Sequence, residues 1–84
     1  MSLQTYKNNT QAKALAQFLK AKRLEAGHTM RTLSEVMNTP HSFIGKVEKL
    51  DRRLDLPELF EYCKYLGVNP QDAFDAVKNS TGEK

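Results

Sequence analysis

The chain of 84 residues has no tryptophan, one cysteine, two histidines, three prolines and four glycines. Each scarcity excludes something. With Cys63 alone, no disulfide can close within the chain, and a single thiol fits a reducing compartment. No cysteine cluster or histidine pair is spaced to hold a metal ion, so neither a metal site nor a cofactor is expected. His28 and His41 lack carboxylates at ligand spacing, and no glycine-rich loop could cradle a phosphate. The inventory for catalysis is therefore missing. There is no long apolar run to cross a membrane. Residues 1–10 lack an apolar signal core. The expectation is a soluble, cytoplasmic protein with no membrane partner. Strand-like alternation, internal repeats and low-complexity stretches are missing as well.

What is present is an uneven charge. The net value of +3 resolves into +2 over residues 1–19, +4 over 20–53 and −3 over 54–84, counting Lys and Arg against Asp and Glu. The basic part points to a polyanionic partner. The acidic part argues against a uniformly sticky surface.

Apolar spacing and cap residues predict five short helices, an all-α globule of one domain. The first spans about 11–26 and aligns Ala12, Leu15, Leu19 and Ala26, with Arg23 at the edge of that stripe and Gly27 as its left-handed cap. The second spans about 30–37 behind the N-cap Thr29, with Leu33, Val36 and Met37 inward. Asn38 supplies the turn that follows. The third, about 40–49, is expected to start from Thr39 as N-cap and Pro40 as first helical residue. Asp55 and Glu58 form a capping-box pattern for the fourth, which Gly67 ends. Asn69 and Pro70 open the fifth, which runs to about residue 78. Residues 1–10 and 79–84 are expected to be loose segments around a domain spanning 11–78.

The third helix has two unlike faces. Phe43, Ile44 and Val47 cluster on one side. His41, Ser42, Gly45, Lys46 and Lys49 occupy the other. A glycine there costs up to about 1 kcal/mol relative to alanine, so the outer face has a purpose other than helix stability. Two short helices, a tight turn, and a second helix with a small, polar, basic outer face are what a helix-turn-helix presents to the major groove.

The ordered set Leu19–Gly27, Thr29–Met37, Pro40–Glu48, Arg52–Asp55 and Leu66–Pro70 resembles the phage-repressor/Cro type of helix-turn-helix regulators, the xenobiotic-response-element (XRE) family. The likeness covers Leu15 to Val77. It implies a compact five-helix, lambda-repressor-like domain in a bacterial or phage-encoded transcriptional regulator, usually a homodimer on a palindromic double-stranded DNA operator. It also implies roles by position. Arg23 and Glu48 would form a structural ion pair. His41, Ser42, Gly45 and Lys46 match the base-reading positions, and Lys46 can donate to guanine O6 and N7. Thr29, Arg31, Lys49, Arg52 and Arg53 match phosphate-binding positions. Three departures stand out: Met30 replaces the usual glutamine that touches the DNA backbone, Asn38 replaces the turn glycine, and Leu50 replaces a glycine after the third helix.

Phe74, Val77 and Tyr65 offer apolar surface for a dimer. Other readings fit the same domain. It could be the antitoxin of a toxin–antitoxin pair with a toxin partner, another phage or plasmid interaction module, or a restriction–modification controller. The short stretches outside 11–78 leave little room for a toxin-binding tail, which favours a regulator, most simply a repressor.

Overall fold

Thr29, Asp55 and Asn69 each stop the chain in an extended conformation and hand a side-chain oxygen to the helix that follows. A computed structural model describes residues 3–80, and the calls on residues 1–2 and 81–84 lie outside the described residues. Six helices are formed: α1 Leu3–Lys7, α2 Thr10–Glu25, α3 Met30–Val36, α4 Phe43–Glu48, α5 Leu56–Leu66 and α6 Pro70–Asn79. No strand is found among the described residues.

The extra helix is α1, which lies within the segment expected to be loose. Its last residue, Lys7, pairs with Asp51 at 2.7 Å and ties the segment to the loop after α4. Asn9 then caps α2, its Oδ1 accepting from the Ala12 N–H at 2.9 Å. The buried stripe of α2 is Ala12, Ala16, Leu19 and Arg23, while the predicted Ala26 is exposed. Arg23 turns inward because a buried carboxylate waits for it, and that choice rotates the stripe. Gly27, at φ +82°, ends the helix in the left-handed region, and the His28 N–H donates back to the Arg23 carbonyl at 3.1 Å.

Thr29 caps α3 reciprocally with Thr32: each side-chain oxygen accepts the other's backbone N–H at 3.0 Å. The helix buries Leu33 and Ser34, whereas Val36, predicted inward, is exposed. Asn38 takes the left-handed turn at φ 57°.

The start of the next helix differs from expectation. Thr39 looks backwards, its N–H and hydroxyl both donating to the Ser34 carbonyl, at 3.0 and 3.2 Å. It closes the end of α3 rather than opening α4. Residues 40–42 form a turn in which the Phe43 N–H donates to the Pro40 carbonyl at 2.9 Å. Helix α4 thus begins at Phe43, and His41 and Ser42 stand just ahead of it. After α4, Leu50 sits at φ 64°, the left-handed position that glycine normally fills.

Asp55 and Glu58 form the expected capping box on α5, and Gly67 ends that helix at φ 71°. The core gathers Leu19 from α2, Leu33 from α3, Phe43, Ile44 and Val47 from α4, Tyr62, Cys63 and Leu66 from α5, and Ala73 from α6. Every helix from α2 to α6 contributes, so α4 is seated from behind by the whole domain.

One core group is out of balance. The Tyr62 hydroxyl is fully buried and has no hydrogen-bond partner among the described residues. Burial, reinforced by the Glu48 carboxylate and offset by Arg23, pushes its ionisation well above the ordinary phenol range. A buried hydroxyl without a partner costs stability. Tyr62→Phe is therefore expected to stabilise the fold by about 1 kcal/mol, read as a higher urea midpoint at unchanged slope. A lower midpoint would mean that the hydroxyl contributes a bond of its own.

Candidate nucleic-acid interface

Phe43, Ile44 and Val47 are buried, so α4 can present only its other side. That side brings together His41, Ser42 and Lys46, all exposed, and Gly45, half-buried. With Met30, Lys49 and Asp51 they line a shallow depression of about 380 Å³. The four residues predicted as base readers thus share one surface. Ser42 occupies the N-cap position of α4 but makes no side-chain cap bond, so its hydroxyl is not spent on the helix.

Two side chains behind this surface fix its tilt. Arg23 Nε donates to Glu48 Oε2 at 2.7 Å, and its Nη2 donates to Oε1 at 3.2 Å. The third donor, Nη1, reaches the His28 carbonyl at 2.8 Å. The side chains are only 6% and 4% exposed. This two-point geometry is the strong form of an Arg–carboxylate contact. It joins the end of α4 to the end of α2 and to the loop that leads into α3.

The predicted phosphate-binding residues divide. Lys49 is exposed beside the depression. Arg31 is exposed and meets Glu35 at 3.4 Å, and His41 Nε2 lies 3.7 Å from the same carboxylate. The Thr29 hydroxyl is occupied in the α3 cap. Arg52 is engaged within the domain. Its guanidinium donates to both Glu58 oxygens, at 2.9 and 2.6 Å, and to the Arg53 carbonyl at 2.8 Å. It also lies 4.8 Å from the Phe43 ring centre. The Arg52 bond holds the Glu58 carboxyl below the usual carboxylate range. Arg52 thus clamps the loop to α5, with its side chain still 40% exposed. Arg53 is exposed, but with Tyr6 and Leu54 it lines a different depression from the one in front of α4.

Sequence reasoning missed two contributors. Asp51 is an acidic group on a basic surface, and Lys7 answers it. The Lys7 hydrogen bond, followed by the charges of Lys7, Lys49 and Lys46, keeps the Asp51 carboxyl below its usual range despite partial desolvation. Met30 is the other. Its replacement of glutamine was visible, but its place beside Gly45 in one depression was not.

Comparison with known proteins agrees with this geometry. The helix-turn-helix family model matches residues 19–72. A solved structure of an XRE-family like protein from Pseudomonas syringae pv. tomato is 31% identical, with a TM-score of 0.79 over 88% of this chain and 90% of that one. The clp gene regulator ClgR from Corynebacterium glutamicum shares the fold, with a TM-score of 0.78 at 21% identity over 90% of this chain and 99% of that one. Comparison with curated proteins gives no match. The match over residues 19–72 contains the Arg23–Glu48 tie, the α3–turn–α4 unit and the whole α4 surface. The chain belongs to the XRE family of helix-turn-helix DNA-binding transcriptional regulators.

Proposed function

We propose that this regulator reads double-stranded DNA by placing the segment 40–49 in the major groove, and that it represses transcription as a homodimer on a palindromic operator. The observation that carries this reading is the convergence of His41, Ser42, Gly45 and Lys46 on one face of an element seated by buried residues. Lys46 is the principal base reader, donating to guanine O6 and N7. Ser42 and His41 have both donor and acceptor capacity for neighbouring base edges. Lys49, Arg31 and Arg53 supply charge toward phosphates, the sequence-independent share of affinity. Repression follows most simply from occupying a promoter, since the described residues form one compact DNA-reading unit.

The dimer reading rests on an apolar groove between α5 and α6. Leu56, Leu59, Phe60, Pro70, Phe74 and Val77 line it. Leu56, Phe60 and Phe74 are 77%, 57% and 58% exposed. Large apolar side chains gathered on one side of a small domain mark an interaction face. Tyr65, also expected at a dimer face, lies in a separate groove beside Met37 and Pro40.

Selection of bound duplexes from a random library tests the function. The expected product is a two-fold symmetric motif with half-sites about one helical turn apart. Lys46→Ala should lose preference at one base pair of each half-site and weaken binding to the motif by about tenfold to a hundredfold. Failure of the wild-type protein to select any motif would overturn the reading, and an unchanged preference in Lys46→Ala would overturn the assignment of Lys46.

A further inference from the structure

Gly45 has no backbone reason to be glycine. It lies inside α4, its φ is not positive, and a Cβ built there would meet only the Met30 Sδ, at 3.6 Å. That is ordinary van der Waals contact, so alanine would fit and would make a better helix. What glycine provides is depth. The bare Cα leaves the Met30 thioether, which lines the depression in front of α4, uncovered on the Gly45 side.

Met30 is held firmly in this place. It is the first residue of α3, directly behind the reciprocal Thr29–Thr32 cap. Its side chain is half-buried and packs against the domain core. The other side chains that line the depression are polar or charged, His41, Ser42 and Lys46 among them. The lysine charges draw in a nucleic-acid surface, and Asp51, the one anion lining it, is answered by Lys7. The Met30 thioether offers no donor to a phosphate or to a base heteroatom, and only a weak acceptor to a base amino group. Of the groups a base pair shows in the major groove, only the thymine 5-methyl is apolar.

We propose that Met30 and Gly45 form a receptor for a thymine 5-methyl group, and so specify a T·A pair at the base step facing the start of α4. This makes Met30 a specificity-determining residue in a position where the resemblance implies a backbone contact. The inference rests on the proposed DNA reading by α4.

The test alters the DNA first, so that protein folding is not at issue. In the selected motif, each thymine is replaced in turn by deoxyuridine, which removes only the methyl group. At one thymine per half-site the wild-type protein should bind about fourfold more weakly, the value expected for one buried methyl. With Met30→Ala, the same replacement should change affinity by less than about twofold. Gly45→Ala, whose new methyl would occupy the depression, should fold at least as stably as wild type and lose the same discrimination. The inference is overturned if wild type is indifferent to deoxyuridine at every thymine, if the selected motif holds no thymine, or if Met30→Ala keeps the full discrimination. Absence of any selected motif would bring down the DNA reading itself, a distinct result.

Discussion

Arg23→Ala should lower the unfolding free energy by about 3–5 kcal/mol, the cost of leaving a buried charge unpaired. Glu48 would be left with a side chain only 4% exposed and no guanidinium to answer it. A domain of this size has on the order of 5–10 kcal/mol in total, so most of the margin would go. The melting temperature should fall on the order of 20 °C. The double replacement Arg23→Met with Glu48→Leu should recover much of the loss, because two apolar groups leave nothing unpaired. Urea unfolding of the three variants and wild type checks this directly. A loss below about 1 kcal/mol for Arg23→Ala would mean that the pair behaves as a solvated one. The pair's effect on DNA recognition is separable: it sets where α4 lies relative to α2. The recovered double variant should therefore fold yet bind its motif less tightly than wild type.

Phe74→Glu should abolish dimer formation and weaken operator binding by at least about a hundredfold. The groove between α5 and α6 is almost wholly apolar, and Phe74 stands 58% exposed at its edge. In a two-fold interface each substitution counts twice, so two carboxylates would be driven into an apolar contact. One half-site bound alone also loses the gain in effective concentration that a linked second site provides. Phe74 does not line the depression in front of α4, so the substitution leaves those residues unchanged. Sedimentation equilibrium should report a monomer for Phe74→Glu and a dimer for wild type. A variant that remains dimeric would place the interface elsewhere, and the groove beside Met37, Pro40 and Tyr65 would be the next face to test.

Much of the fold was legible because caps are local. Thr29, the Asp55–Glu58 pair, Asn69, Gly27 and Gly67 each act within a few residues of themselves, and all take the positions their chemistry favours. The inward face of α4 was legible for the same reason, from the spacing of Phe43, Ile44 and Val47. Thr39-Pro40 and Asn69-Pro70 look alike in sequence but act differently. Asn69 Oδ1 accepts from the Gln71 N–H ahead of it, while the Thr39 hydroxyl donates to the Ser34 carbonyl behind it. The close of α3 decided the matter: with Asn38 left-handed, the Asn38 and Thr39 N–H groups donate back to the Glu35 and Ser34 carbonyls, a Schellman close that claims Thr39 for the helix before it. The other differences from expectation are tertiary. α1 is too short for periodicity and is held by Asp51, far along the chain. Arg52 was legible as a loop cation, but its engagement by Glu58 and Phe43 is tertiary. Arg23 lay at the edge of its predicted stripe because an arginine adds no apolar weight to one, and only the resemblance supplied Glu48 as its partner.

The α4 surface is the part of the site that a sequence can only outline. It shows which side chains lie on one face, but not that Met30 lines the depression beside Gly45 or that Lys7 pairs with Asp51 there. These contacts change the character of the face from a basic strip to a shaped depression with charged borders. A shaped surface can distinguish base edges, whereas a basic strip binds any phosphate backbone.

The central claim is that this face enters the major groove. Dimethyl sulfate footprinting of the selected motif tests it most directly, because guanine N7 is exposed in the major groove and adenine N3 in the minor groove. The expected result is protection of guanine N7 in each half-site by wild-type protein, lost at one guanine per half-site with Lys46→Ala. Protection confined to adenine N3, with every guanine N7 still reactive, would contradict it.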